Sequence, residues 1–304
     1  PAMKQQGYRK PFSAALLGCA GSLGTIIPPS IVMVVLGVSM GTSIGKLFLG
    51  GVIPGIITGL GLMAISYMIS LKENYPRLEK APWSEVFSSL RAALLPLLTP
   101  AIIIGGILKG IFTATEAGGV AALYALLLSM FVYRKLTWRR FFEICLETAR
   151  TSAVVLFLIA AASLFGWVLA AENIPQMVAA AMLSISTNYW VVLILFNILL
   201  LVLGMFMETI AIILIVIPIF FPILQQLGVD PVHLGVMVCV NLAIGANTPP
   251  LGVDLMAACK VADIPYESSF RYLLPFIGSM VLALLLIIVF PPLVTFLPNL
   301  LMGG

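Results

Sequence analysis

Charged side chains are scarce in this sequence. Its 12 acidic and 16 basic residues make up 9% of 304 positions, against about 25% in a soluble domain. A water-facing surface cannot be assembled from so few. Histidine is scarcer still: His233 stands alone, and with no HExxH or metal-spaced carboxylate set, metalloenzyme chemistry has no foothold. The four cysteines (Cys19, Cys145, Cys239 and Cys259) lack CxxC or Cys/His spacing and lie mostly in apolar stretches. They read as small buried hydrophobes rather than as disulfide or metal ligands. The first residue is Pro1, with no signal-peptide pattern after it. The net charge of +4 sits in short loops, so it reports orientation in a lipid bilayer and not nucleic-acid binding.

What is abundant is apolar length. Hydrophobic residues make up 61% of the chain and the mean hydropathy is +1.15. Several runs exceed the ~18 residues that mark a membrane-crossing helix. The fold class expected is an all-α polytopic membrane protein. Spans are expected at 45–70, 92–112, 117–134, 189–224 and 270–297, with a polar loop "LKENYPRLEKAPWSE" after the first and a basic connection "YRKLTWRR" after the third. An amphipathic piece then runs to Arg150.

Three segments depart from this pattern. Residues 12–40 are broken by "GSLGTIIPPS", and the run beginning near 231 is broken by "IGANTPPLG". Residues 151–187 are apolar but interrupted at "AENIP". They are too short for two full spans and too polar at the middle for one. A re-entrant helical hairpin fits, with two closely spaced ordinary helices as the alternative.

The two broken segments are copies. With one constant offset, Pro1, Gln5, Gly7, Gly24, Pro28 and Pro29 fall on Pro222, Gln226, Gly228, Gly245, Pro249 and Pro250, without a gap. "YRKLTWRR" carries four basic and no acidic residues, which places it in the cytoplasm. Counting spans outward from it puts Lys4, Arg9 and Lys10 in the cytoplasm and the loop bearing Asp230 outside. The copies therefore enter the membrane from opposite faces, as inverted repeats of secondary transporters do. The second copy is preceded by a hairpin and a long helix, and the first by nothing, so the repeat predicts an N-terminal portion that this sequence lacks. The boundaries that follow are 1–44 for the first discontinuous helix, 45–150 for scaffold-type helices, 151–187 for the hairpin, 188–269 for the second-repeat helix with its discontinuous helix, and 270–304 for a last scaffold-type helix.

A double proline removes two backbone donors and leaves upstream carbonyls without intrahelical partners. At membrane depth such carbonyls need a ligand. A sodium ion can take them together with Ser, Thr or Asn oxygens, while the helix that restarts beyond favours an anion. The sodium-site candidates are Gly21, Ser22, Gly24 and Thr25 in the first break, and Gly245, Asn247 and Thr248 in the second. The bland alternative is a pair of proline kinks whose carbonyls bond to neighbouring Ser or Thr hydroxyls. Ser30, Asp254, Ser163, Glu172 and Asn173 are cavity candidates, the last two at the hairpin tip. Asp254 either faces the cavity or pairs with Lys260. Glu208, mid-run, reads as a buried carboxylate, and Glu116 as a helix cap. His233 reads as a structural residue in an external loop. Glycine pairs at GxxxG spacing, Gly51/Gly55 among them, read as sites of close helix packing. "AGSLG" lacks the first glycine of a serine-hydrolase elbow, so an intramembrane hydrolase is the weakest reading and a passive channel an intermediate one.

"PxMxxxGY" at 1–8, "GSLGTIIPPS" at 21–30, "LFLGGVIPG" at 47–55, "GIFTATEAGGVAALYAL" at 110–126, "GVDPVHLGV" at 228–236 and "NLAIGANTPPLG" at 241–252 together resemble the large membrane subunit of tripartite ATP-independent periplasmic (TRAP) transporters, over essentially the whole chain. The resemblance implies an elevator-type secondary transporter in the bacterial inner membrane, with each hairpin facing a broken helix. It implies sodium-coupled uptake of an organic acid (a C4-dicarboxylate, sialic acid or sugar acid), a small four-helix membrane subunit and a periplasmic substrate-binding protein. It places two Na+ sites near 21–26 and 245–248, the first lacking a wall here, and the second hairpin tip near 163–173. Relatives often carry an amide where this chain has Asp254.

Overall fold

A computed structural model describes residues 2–76, 80–185 and 188–303. The described residues form helices and turns, with no strand among them. In chain order the helices are α1 (Ala2–Gln5), α2 (Lys10–Gly21), α3 (Ile31–Met40), α4 (Ile44–Lys72), α5 (Trp83–Leu108), α6 (Ala114–Leu127), α7 (Trp138–Ala171), α8 (Ile174–Ile185), α9 (Tyr189–Gly204), α10 (Thr209–Gln226), α11 (Pro231–Gly245), α12 (Val253–Ala262), α13 (Phe270–Val289) and α14 (Pro292–Met302). Among the described residues, six helical stretches are long and apolar enough to cross a membrane. The chain divides into two compact units, one of residues 1–76 and 166–304, the other of residues 77–165.

In the larger unit the central element is α11, whose residues from Val232 to Gly245 are all buried. The proline at its first position is tolerated because that amide has no helical acceptor, and Asp230 caps the next two. Two polar side chains that α11 buries find partners on neighbouring helices, although Asn241 Oδ1 has none. His233 Nε2 lies 2.9 Å from the Ile287 carbonyl, and Asn241 Nδ2 donates to both the carbonyl and the side-chain oxygen of Asn197 on α9. His233 is thus a core residue in the first turn of a helix, not a loop residue.

Each double proline ends one helix before a second begins. α2 passes through a 3-10 turn at Ser22–Thr25 before α3, and α11 ends in turns before α12. Both prolyl–prolyl bonds are cis. α2 packs against α12 while α11 packs against α3. The first half of each copy thus lies beside the second half of the other, so the copies run antiparallel. α4 supports the first break at Gly51, where a side chain would collide with the Ile26 carbonyl; close packing was the role read from its spacing. At one end of α2, Arg9 forms an ion pair with Glu73 at 3.0 Å and bonds to the Tyr272 hydroxyl. That hydrogen bond, and then the Glu73 charge, raise the guanidinium pKa above its ordinary value.

Several helix boundaries differ from those expected. The run at 189–224 is not one span. Phe196 and Phe220 sit 5.4 Å apart, centroid to centroid, whereas one straight helix would separate them by roughly 36 Å. α9 and α10 therefore fold back on each other around a turn at 205–208. α7 is continuous from Trp138 through the segment expected to begin a separate hairpin, and turns at Glu172–Asn173 into the short α8. The last span is interrupted at Phe290–Pro291 into α13 and α14, and α5 starts at Trp83 inside the stretch read as a loop.

In the smaller unit α5 packs on α6, with the Tyr124 hydroxyl donating to the Leu95 carbonyl at 2.9 Å. Trp83, Phe87, Leu94, Phe142 and Phe157 are exposed, the surface that lipid or another apolar partner covers.

Candidate functional site

The two breaks meet through three side chains. Asn247, on the turn that ends α11, is fully buried; its Nδ2 donates to the Ala243 carbonyl at 2.9 Å and to Ser22 Oγ. Ser22, 1% exposed, directs its hydroxyl at Asp254 Oδ2, with the Gly18 carbonyl as a second acceptor at 3.2 Å. The chain Ala243–Asn247–Ser22–Asp254 thus runs from the second copy into the first and back.

Around this link the prolines withhold four backbone donors. Pro28 and Pro29 cannot donate to the carbonyls of Gly24 and Thr25, nor Pro249 and Pro250 to those of Gly245 and Ala246. Some of these carbonyls have found other donors. Ser30 Oγ donates to Thr25 O at 2.8 Å, Thr248 N reaches Gly245 O and Asp254 N reaches Ala246 O, each at 3.0 Å. The hydroxyls of Thr25 and Thr248 donate to Ser22 O at 2.8 Å and Ile244 O at 2.7 Å. Each threonine oxygen keeps its lone pairs free to accept or to coordinate. These hydroxyl-to-carbonyl bonds are the arrangement expected of the proline-kink alternative.

Gly21 and Gly24 are exposed, and Ser30 is buried. Ser30 caps α3 as well as serving Thr25. Asp254 is half-buried and Lys260 exposed; among the described residues no ion pair joins them. The alternative pairing of Asp254 is thereby corrected: its partner is Ser22. Glu208 is not a buried mid-helix carboxylate. It is exposed and caps α10, accepting from the amides of Ile210 at 2.8 Å and Ala211 at 3.1 Å. Glu116 completes a capping box with Thr113.

The hairpin expected to face the second break is displaced along the chain. Glu172 and Asn173 are exposed in the α7–α8 turn, and the side chain of Ser163 lies outside what the structure describes. The α9–α10 turn meets the second break instead. Leu251 N donates to the Met205 carbonyl at 3.2 Å. Gly204 and Gly245 approach so closely that a Cβ on Gly245 would lie 2.7 Å from the Gly204 Cα. Two further features escaped the sequence reading. Gly18 presents a bare backbone to Asn247 and Leu255. The Tyr266 hydroxyl, buried without a partner, lies over Gly252. Nothing in either residue's neighbours along the chain points to these contacts.

This geometry accompanies a clear relationship to known proteins. The family model described as "Tripartite ATP-independent periplasmic transporter, DctM component" matches residues 1–293. The chain belongs to the TRAP transporter large-permease family. It is 44% identical over 301 residues to the sialic acid TRAP transporter large permease of Vibrio cholerae, covering 99% of this chain and 70% of that protein. It is 41% identical over 297 residues to the C4-dicarboxylate TRAP transporter large permease of Pseudomonas aeruginosa, covering 98% and 70%. To the isethionate TRAP transporter permease of Oleidesulfovibrio alaskensis it is 44% identical over 293 residues, covering 96% of this chain and 46% of that protein. As a TRAP permease the chain is a membrane transport protein and not an enzyme, which removes the hydrolase reading of "AGSLG".

Proposed function

We propose that this chain is the large permease of a sodium-coupled TRAP system that imports an organic acid across the bacterial inner membrane. The observation that carries this reading is the antiparallel pair of broken helices, joined by Asn247, Ser22 and Asp254. Each break brings backbone carbonyls and a threonine hydroxyl together, an oxygen set that suits a sodium ion. The N-termini of α3 and α12 face the same breaks and favour a negatively charged passenger. Relatives are named for sialic acid, C4-dicarboxylates and isethionate, and all three are organic anions. In this reading a periplasmic binding protein delivers the anion. A small membrane subunit packs on the exposed apolar surface, and the unit carrying the breaks moves as an elevator. The α9–α10 hairpin replaces 151–187 as the flap over the second ion.

The span count survives the exchange of roles. If α7 crosses once and α9–α10 re-enters and returns, the loop bearing Asp230 remains external. A proton-coupled carrier is the competing reading, and Asp254 is the carboxylate that favours it. Uptake into proteoliposomes holding the permease, its small subunit and its binding protein decides between them. Accumulation should require a sodium gradient, and Thr25→Ala and Thr248→Ala should each raise the sodium concentration needed for half-maximal uptake by about tenfold, the loss of one good ligand. An unchanged sodium dependence in both variants would sink the site assignment.

A further inference from the structure

The start of α7, residues 138–150, divides into two faces. Trp138, Phe141, Phe142, Cys145 and Ala149 recur at helical spacing on one side. Arg139, Arg140, Glu143, Glu147 and Arg150 fall on the other. The rings form one patch: Trp138 and Phe141 meet edge to face with centroids 5.9 Å apart, and Phe141 and Phe142 do so at 5.6 Å. Trp138 is 67% exposed and Phe142 65%, so this apolar face needs a covering that the smaller unit does not supply. With 34 residues at ~1.5 Å each, α7 outruns a bilayer core of ~30 Å by roughly 20 Å. Residues 151–171 carry no charged side chain and fill the core. The surplus length therefore falls on residues 138–150, at the depth of the lipid headgroups.

Positive charge gathers at the same place. Arg139 and Arg140 share one acid, Glu143, at 3.3 and 3.5 Å. Arg134 and Lys135, just upstream, enter no ion pair among the described residues. A tight connection holds them beside the first turn of α7. Arg134 takes φ 50°, and the Lys135 and Leu136 amides bond back to the Ser129 carbonyl at 3.1 and 3.3 Å. Four basic groups against one acid leave a surplus of three positive charges, while Glu147 and Arg150 further along balance in number. Orientation in the membrane accounts for basic residues in a cytoplasmic loop. It asks for neither an aromatic face nor arginines aligned along the opposite side of a helix.

We propose that this segment binds anionic phospholipid of the cytoplasmic leaflet. Trp138, Phe141 and Phe142 enter the upper acyl chains, and Arg134, Lys135, Arg139 and Arg140 meet the phosphates. The guanidinium fork matches phosphate oxygens in pairs. A zwitterionic lipid would satisfy the rings equally well but leave the surplus charge unanswered, so recognition lies in the headgroup. The site is independent of the sodium-coupled reading and needs only the cytoplasmic placement of the basic connection.

A fluorophore on Cys145 reports the contact, because that cysteine is exposed and the other three are buried. The labelled full chain, with a cysteine-free small subunit, is placed in phosphatidylcholine vesicles. Quenching is titrated with spin-labelled phosphatidylglycerol or spin-labelled phosphatidylcholine. The anionic lipid should quench at an about fivefold lower mole fraction, the worth of one cation near a charged headgroup. Arg139→Gln combined with Arg140→Gln should bring the two lipids level. Quenching by phosphatidylcholine should stay unchanged in that variant, which shows that the helix still lies in the bilayer. Arg134→Gln combined with Lys135→Gln should reduce the preference in the same direction. Equal quenching by both lipids in the unmodified chain overturns the proposal, since apolar contact would then occur without headgroup recognition. So does quenching by neither, which would mean that protein or water covers the face. A preference untouched in both double variants also overturns it.

Discussion

Ser22 is the residue on which both copies of the repeat depend. Its oxygen accepts from Asn247 and its hydroxyl faces Asp254 and the Gly18 carbonyl, so Ser22→Ala removes every bond of that link. An unsatisfied buried group costs about 1–3 kcal/mol. In sodium-free buffer the variant should therefore unfold several degrees below the unmodified protein, measured by thermal scanning. An unchanged midpoint would mean that another donor fills the gap. The breaks themselves were legible from the paired prolines, because loss of a backbone donor is a local event. Of the two alternatives for Asp254, pairing with Lys260 fails for a geometric reason: they stand six residues apart on one helix, and side-chain neighbours lie three or four apart. Gly18 left no trace, since its contribution is the room made by a missing side chain against an element more than two hundred residues away.

Among the helices, the pair α9–α10 departs most from its hydropathy. The turn residues Met205, Phe206 and Met207 are themselves mostly apolar, so a sliding average sees one unbroken span. The available signal was finer: Gly204 ends α9, and Glu208 caps α10 through its side chain. The same weakness let α7 be cut at Arg150, where its polar face gives way to an apolar one without any break in the backbone. At 34 residues and ~1.5 Å per residue it is longer than a bilayer core of ~30 Å requires. Contact between the α9–α10 turn and the second break allows no side chain at Gly245 or Gly204. Gly245→Val should prise the turn from Leu251 and lower uptake by about tenfold or more, because closure of such a flap commits the passenger. Uptake within twofold of the unmodified protein would show, to about that precision, that the turn does not need to close.

For the molecule as a whole, the repeat told more than any single helix. Six matched positions and a count of basic residues implied two copies of opposite sense. The packing of α2 on α12 and α11 on α3 has that relation. Sidedness is checked by cysteine labelling in cells, in a background where the exposed Cys145 is serine. Cysteine at Lys135, in the basic connection, should react only after the membrane is made permeable. Cysteine at Gln226, at the end of α10, should react from outside. Labelling of both from one side would undo the inverted assignment. Which anion is carried was not legible, because no residue of the breaks is specific to one acid.

The antiparallel breaks also bear on the membrane voltage. Each half-helix carries a dipole along its axis, and the dipoles of α2 and α3 oppose those of α11 and α12. Their sum along the membrane normal is small, so an electric field across the bilayer exerts little pull on the helices themselves. In the function proposed above, the field acts instead on what they hold: the passenger and the cations that accompany it. In a protein working in that way the charge moved per cycle is set mainly by its cargo, and electrical recordings of transport would count it directly.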